Sequence, residues 1–216
     1  MNNNTTANPW EVGTDELERS AQEECVKRQR LDRLVSVMVM PGNHCELAIQ
    51  FARLGARVTV ADEPTQQQDI EGRILAAGLR DEITYVPCAL PKPPEQPAGE
   101  PFDIIFVRRS LCAAPYPEAR QVVRQLLRQL KIGGKLYLSV LGMHSALAEG
   151  YAGSEQPVEE RFTELAPGLA KKYAIHHPVC LYTERNLFTL LLEAGGSVLR
   201  TLTTTYGNVK AVAVRV

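Results

Sequence analysis

The sequence predicts an α/β protein: a mostly parallel sheet with helices on both faces. Three observations point there. From Leu34 onward, short runs rich in Val, Ile and Met alternate with helix-period segments, the rhythm of successive βαβ units. The helical segments close on Gly55, Gly78 and Gly195-Gly196, where a helix places its left-handed terminal residue. The chain then finishes on two strand-like runs joined across Tyr206-Gly207-Asn208-Val209, whose Gly and Asn tolerate the positive φ of a tight hairpin.

Taken in order, a first helix starts after Thr14, which can cap it while Asp15 and Glu16 favour the positive helix end. It runs through Glu18-Arg19 and Cys25-Val26 towards Leu31, and either covers a site or packs at an edge. Residues 34–40 form a continuous apolar run, as a parallel strand buried on both faces requires. Pro41-Gly42-Asn43-His44 turns the chain into a helix over 45–54, and a second strand over 57–61 ends at Asp62. A helix over 65–77 leads to a third strand at 83–86. Residues 91–101 hold five prolines, which excludes helix and central strand and reads as an exposed loop.

The fourth strand is 102–107, and a helix over 116–130 aligns Val122, Val123, Leu126, Leu127 and Leu130 on one face. Lys131-Ile132-Gly133-Gly134 turns into a fifth strand at 135–140. Residues 142–178 form a longer insertion with a helix expected over 158–173, and Thr183 caps a further helix to Glu193. The closing strands are 197–205 and 209–216.

With 216 residues the chain suits one domain over 13–216 behind a disordered Asn/Thr-rich lead-in at 1–12. Hydrophobic residues at 44% and charged residues at 23% are those of a soluble globular protein. A net charge of −1 provides no electrostatic pull towards nucleic acid or an anionic membrane. No apolar run reaches membrane-spanning length, and the polar start lacks the apolar centre of a signal peptide. Five cysteines without a regular framework point to a reducing cytoplasm.

A parallel sheet ending in a hairpin is unusual among nucleotide-binding folds. Together with Leu130-Lys131-Ile132-Gly133-Gly134-Lys135-Leu136 before the fifth strand and Phe102-Asp103 opening the fourth, it makes residues 30–216 resemble a class I S-adenosylmethionine-dependent methyltransferase. That resemblance implies a Rossmann-like, seven-stranded sheet of order 3-2-1-4-5-7-6 with the last strand antiparallel. It also implies S-adenosylmethionine as cofactor.

The family's first strand ends in an acid followed by a Gly-x-Gly-x-Gly turn. Here the acid's position is Val39, and the glycine positions hold Pro41, Asn43 and Cys45, with Gly42 between two of them. The acid that grips the ribose hydroxyls is present as Asp62, followed by Glu63. The acid that meets adenine is replaced by Ala89, beside which Leu90 can pack on the base.

The departures have physical consequences. Pro41 has no N–H to donate. Asn43 can take the left-handed backbone of a glycine. Cys45 is expected to put a β-carbon where a ligand approaches. Loss of a charged hydrogen bond, as at Val39, costs about 1.5–3 kcal/mol. No other glycine-rich cradle suggests ATP or a dinucleotide instead.

Beyond the cofactor, Arg108-Arg109 at the end of the fourth strand suit an acidic small-molecule substrate or surface ion pairs; both readings are open. Arg108 is also placed among the cofactor-binding residues. His144, after the fifth strand, is the candidate base. Adjacent His176-His177 point in different directions and are expected to end a helix. His44-Cys45 has no partner pair at zinc spacing, so no metal site is expected. Cys112 is a nucleophile only if its thiol is activated. The sequence therefore supports a methyltransferase acting on a small molecule through an altered cofactor pocket. Its rival is an inactive methyltransferase fold that binds a protein partner.

Overall fold

The computed structural model describes residues 16–31, 34–94 and 101–216. The 1–12 lead-in, the Thr14 cap and residues 95–100 of the proline-rich loop lie outside the described residues. The elements are α1 (Glu16–Gln29), β1 (Ser36–Met40), α2 (Glu46–Arg53), β2 (Arg57–Asp62), α3 (Gln67–Ala77), β3 (Ile83–Pro87) and β4 (Phe102–Arg108). There follow α4 (Tyr116–Gln129), β5 (Leu130–Val140), α5 (Pro167–Tyr173), α6 (Glu184–Glu193), β6 (Gly196–Thr203) and β7 (Val209–Arg215).

The seven strands hydrogen-bond in the order β3-β2-β1-β4-β5-β7-β6, as expected. β1 runs parallel to β2 and β4, and β7 runs antiparallel to β5 and β6. Successive strand residues point to opposite faces, which divides the core in two. Val37, Val39, Ile104, Phe106 and Tyr137 pack with Leu17 and Cys25 of α1, Phe51 of α2 and Ile70 of α3. Met38, Met40, Ile105, Val107, Leu136 and Leu138 face the other way, onto Val123 and Leu126 of α4 and Leu187 and Leu190 of α6.

Charge as well as apolar area anchors α1 to the sheet: two of its five buried residues are glutamates. Glu24 accepts from Lys135 Nζ at 2.6 Å and Arg28 Nε at 2.8 Å. Asp103, from the Phe-Asp pair, accepts from Ser36 N–H at 3.0 Å, Lys131 Nζ at 2.8 Å and Arg28 at 3.3 Å. One buried carboxylate thus ties α1, β1, β4 and β5 together. Burial pushes the Asp103 carboxyl up, but the hydrogen bonds from Lys131 and Ser36 and the charges of Lys131 and Arg28 outweigh it and hold the group below its ordinary value. Glu24 is likewise held low: burial raises it, and Lys135 and Arg28 more than offset that.

Two expectations are corrected. Residues 158–173 do not form one helix: a single 3₁₀ turn at Val158–Glu160 is separate from α5, which begins on Pro167. Proline disfavours helix at the residue before it and suits the first helical position, so the chain restarts there. His176 and His177 therefore lie beyond the helix rather than at its end. The Lys131–Gly134 turn belongs to β5 itself: Phe102 pairs with Leu130 and Ile104 with Lys135, so the intervening residues bulge, with Gly133 at φ 75°.

Thr183 caps α6 as expected, its hydroxyl accepting the Asn186 N–H at 3.1 Å while Asn186 Oδ1 accepts the Thr183 N–H at 3.0 Å. Replacing Thr183 by alanine is expected to cost about 1 kcal/mol. In thermal unfolding, that loss reads as a fall in Tm of roughly 2–4 °C.

The insertion folds back onto the sheet end. Thr163 pairs with Val179 and Gly142 with Tyr182. Tyr151 donates to the Val179 carbonyl at 2.6 Å, and the buried Arg161 guanidinium donates to Leu181 O at 3.1 Å and Gln156 O at 3.0 Å. These bonds hold 175–179 at the mouth of the crevice described next.

Candidate functional site

The strand order reverses between β1 and β4: the sheet continues to β2 and β3 on one side and to β5 on the other. At such a switch point the connections leave to opposite faces and open a crevice at the carboxyl ends of the strands. A cavity of about 410 Å³ occupies it. Val39, Phe106 and Leu141 supply apolar wall, the turn at 41–44 closes one side, and Arg108, Arg109, Ile175 and His177 another.

The turn keeps the shape of a glycine-rich loop with little glycine. Asn43 (φ 47°) and Cys45 (φ 59°), at two of the family's glycine positions, both hold left-handed backbone. Gly42 has no room for a side chain, because a Cβ there would stand 2.4 Å from Val60 Cγ1. The Asp62 carboxylate organises the turn. Its Oδ2 accepts the Gly42 N–H at 2.9 Å and the Asn43 N–H at 3.3 Å, and its Oδ1 accepts the Glu63 N–H at 2.8 Å. Cys45 does not crowd the cavity as expected: it is fully buried in the core with Leu47 and Ala48 and is absent from the lining. Its left-handed backbone turns the thiol inwards.

Of the residues singled out from sequence, Pro41, Gly42, Asn43, Glu63, Leu90 and Arg108 line this one cavity. Asp62, Ala89 and His144 do not. Asp62 is buried behind the turn it clamps. Ala89 is exposed in a turn closed by Lys92 N–H donating to its carbonyl at 2.9 Å. His144 is exposed at a bend where its backbone packs against Gly207. The bend follows from Met143 N–H bonding Tyr182 O at 2.9 Å and Ser145 N–H bonding Gly142 O at 3.1 Å.

Sequence reasoning named His177 only as one of an adjacent pair ending a helix and Glu18 only as part of the first helix, giving neither a site role; both are in the lining. No local motif marks either one, because the Thr163–Val179 pairing and the seating of α1 bring them there. His177 Nδ1 lies 2.9 Å from Pro178 O. A carbonyl only accepts, so this contact suits the tautomer with its hydrogen on Nδ1, which leaves Nε2 as the acceptor.

Arg108 forms an ion pair with Glu18 of α1 and sits 5.8 Å from the centre of the Phe106 ring. Ser110, also in the lining, has a buried hydroxyl without a hydrogen-bond partner among the described residues. Cys112 lines the cavity too, but burial pushes its thiol up, the opposite of activation. Among the described residues, the non-glycine positions with positive φ are Asn43, Cys45, Arg109 and Ala174. All four lie in the lining or within two residues of it. Each such residue costs about 1–3 kcal/mol, and strain of this kind gathers at functional sites. Among the described residues no group of three or more His, Cys, Asp or Glu stands as a metal cluster, and no helix is long and apolar enough to cross a membrane.

No protein-family model matches the sequence, and no curated protein does. Solved structures do. The S-adenosylmethionine-dependent methyltransferase SibL in its apo form is 16% identical at a TM-score of 0.60, over 92% of this chain and 55% of that one. An O-methyltransferase family protein from Burkholderia thailandensis is 16% identical at a TM-score of 0.61, over 92% and 56%. An O-methyltransferase family 2 protein from Planctomyces limnophilus, in complex with apigenin, is 14% identical at a TM-score of 0.60, over 84% and 51%. The chain thus spans a little over half the length of the structures it matches, and it has the fold of the class I S-adenosylmethionine-dependent methyltransferases.

Proposed function

We propose that the chain binds S-adenosylmethionine in the cavity between β1 and β4 and transfers its methyl group to a small molecule. The observation that carries this reading is the turn at 41–45, which retains the left-handed backbone of a cofactor loop at Asn43 and Cys45 and borders the switch-point cavity. The residues present fit the cofactor. Glu63 offers a carboxylate to the ribose hydroxyls in place of the committed Asp62, Leu90 offers an apolar face to adenine, and Pro41, Gly42 and Asn43 bound the space between. The Ser110 hydroxyl, buried and without a partner among the described residues, is a polar group suited to a ligand.

When bound, the cofactor supplies a methyl group on a positively charged sulfur, and the protein's task is mainly alignment. At the far side of the cavity Arg109 favours an acidic small molecule. His177, rather than His144, is the residue that takes a proton from the acceptor atom, through Nε2. Five free, buried cysteines fit a reducing compartment.

The test is transfer of label from methyl-labelled S-adenosylmethionine in an extract of cellular small molecules. Label entering a small-molecule product only when the protein is present is the expected result. Label that stays in the cofactor or enters only protein contradicts it. The second reading is a fold that has lost the cofactor and binds a protein. It is favoured by the commitment of Asp62 to backbone N–H groups and by the apolar Val39.

A further inference from the structure

We propose that the chain's own residues 9–12, Pro9-Trp10-Glu11-Val12, dock on the face of β6 and β7 beside α1, with Trp10 seated over Leu202 and Val212. The inference goes beyond the cofactor reading and does not depend on it. β6 ends the sheet. At that end α1 contributes only Glu16, Leu17 and Ser20 to a hollow whose other wall includes Arg200, Leu202 and Val212. Leu202 and Val214 stay half-buried there, and Leu199, at the bulge of β6, is 56% exposed. Sheet edges are ordinarily blunted by charge or proline or covered by another segment. β6 has no proline and a single charge, Arg200.

Three observations choose the occupant. Glu16, the first residue of α1, pairs with Arg200 at 2.7 Å, so the residues before it enter the helix at the β6 edge. Trp10 precedes Glu16 by six positions, a reach of up to about 20 Å. Neighbouring strands lie about 4.8 Å apart, which brings both β6 and β7 within that reach. Residues 1–15 carry Glu11 and Asp15 and no Lys or Arg, whereas the receiving face carries Arg200 and Lys210. Trp10 and Val12 are the bulky apolar residues of an otherwise polar stretch, and an exposed apolar patch is what such residues cover. Composition alone leaves this lead-in disordered; the seat is what orders its end.

Trp10 is the chain's single tryptophan, so the intrinsic fluorescence of the full chain tests the docking directly. Emission is expected to lie to the blue of that of the urea-unfolded chain, with acrylamide quenching reduced several-fold and no change on dilution. Leu202→Asn and Arg200→Glu should each return emission and quenching towards the unfolded values while far-UV circular dichroism stays native. Arg200 is 54% exposed, so if Leu202→Asn fails to fold, Arg200→Glu decides. Unfolded-like emission from the unaltered protein overturns the proposal, and so does a blue shift that survives the variants. A blue shift lost on dilution overturns it by placing Trp10 on a second copy. A shift that responds to S-adenosylhomocysteine but not to the variants overturns it by placing Trp10 at the cavity between β1 and β4.

Discussion

Replacing Asp103 by alanine is expected to destabilise the fold by about 3–5 kcal/mol, the usual result of removing one partner from a buried ion pair. The carboxylate is 3% exposed and carries Lys131, Arg28 and the Ser36 N–H at once. Its loss leaves the Ser36 N–H without its acceptor and Lys131 without its anion, while Arg28 keeps Glu24. Because Lys131 is 33% exposed and regains water, the lower half of the range is the better expectation. Thermal unfolding should show Tm falling by roughly 6–15 °C.

The same site sets an acid limit. Asp103 and Glu24 are held below their ordinary values of 3.8 and 4.5. Their contribution is therefore complete above those values and is lost as pH falls through the lower values of the folded state. A series of unfolding curves taken down through pH 4 to about pH 2 should show a steep decline in the unaltered protein. Asp103→Asn should start lower and decline less. Parallel declines in the two proteins would contradict the role given to Asp103.

The second large effect is at Asp62. Asp62→Ala removes the acceptor of three backbone N–H bonds, at Gly42, Asn43 and Glu63. A charged hydrogen bond contributes about 1.5–3 kcal/mol, and these three share one carboxylate. A loss of about 2–4 kcal/mol in urea unfolding is expected. Glu63→Gln, an exposed neighbour, should change stability by less than about 0.5 kcal/mol yet weaken nucleoside binding. If Asp62→Ala leaves stability intact, the carboxylate is not the clamp of the turn.

The contrast between these two acids shows what the sequence reveals and where it stops. Strand and helix order follows from apolar runs, glycine stops and the Thr183 cap, all local signals. Asp62 is recognisable as the acid ending β2, but its direction depends on where Gly42 and Asn43 place their N–H groups. Cys45 stands at a glycine position and keeps that position's backbone, yet its thiol packs in the core. Left-handed backbone decides this, and composition does not show it. The helix expected over 158–173 fails at Pro167, where a periodic pattern conceals a break. His177 reaches the cavity only through the pairing of Thr163 with Val179. Glu18 reaches it only through the seating of α1, a hundred-odd residues of chain away from the insertion.

The cavity between β1 and β4 as an S-adenosylmethionine site is tested most directly by calorimetric titration of the full chain with S-adenosylmethionine. Saturable binding with a micromolar Kd, weakened about tenfold by Glu63→Gln, is the expected result. An absence of heat and of any thermal shift at millimolar ligand would contradict it and leave the interaction-module reading in its place.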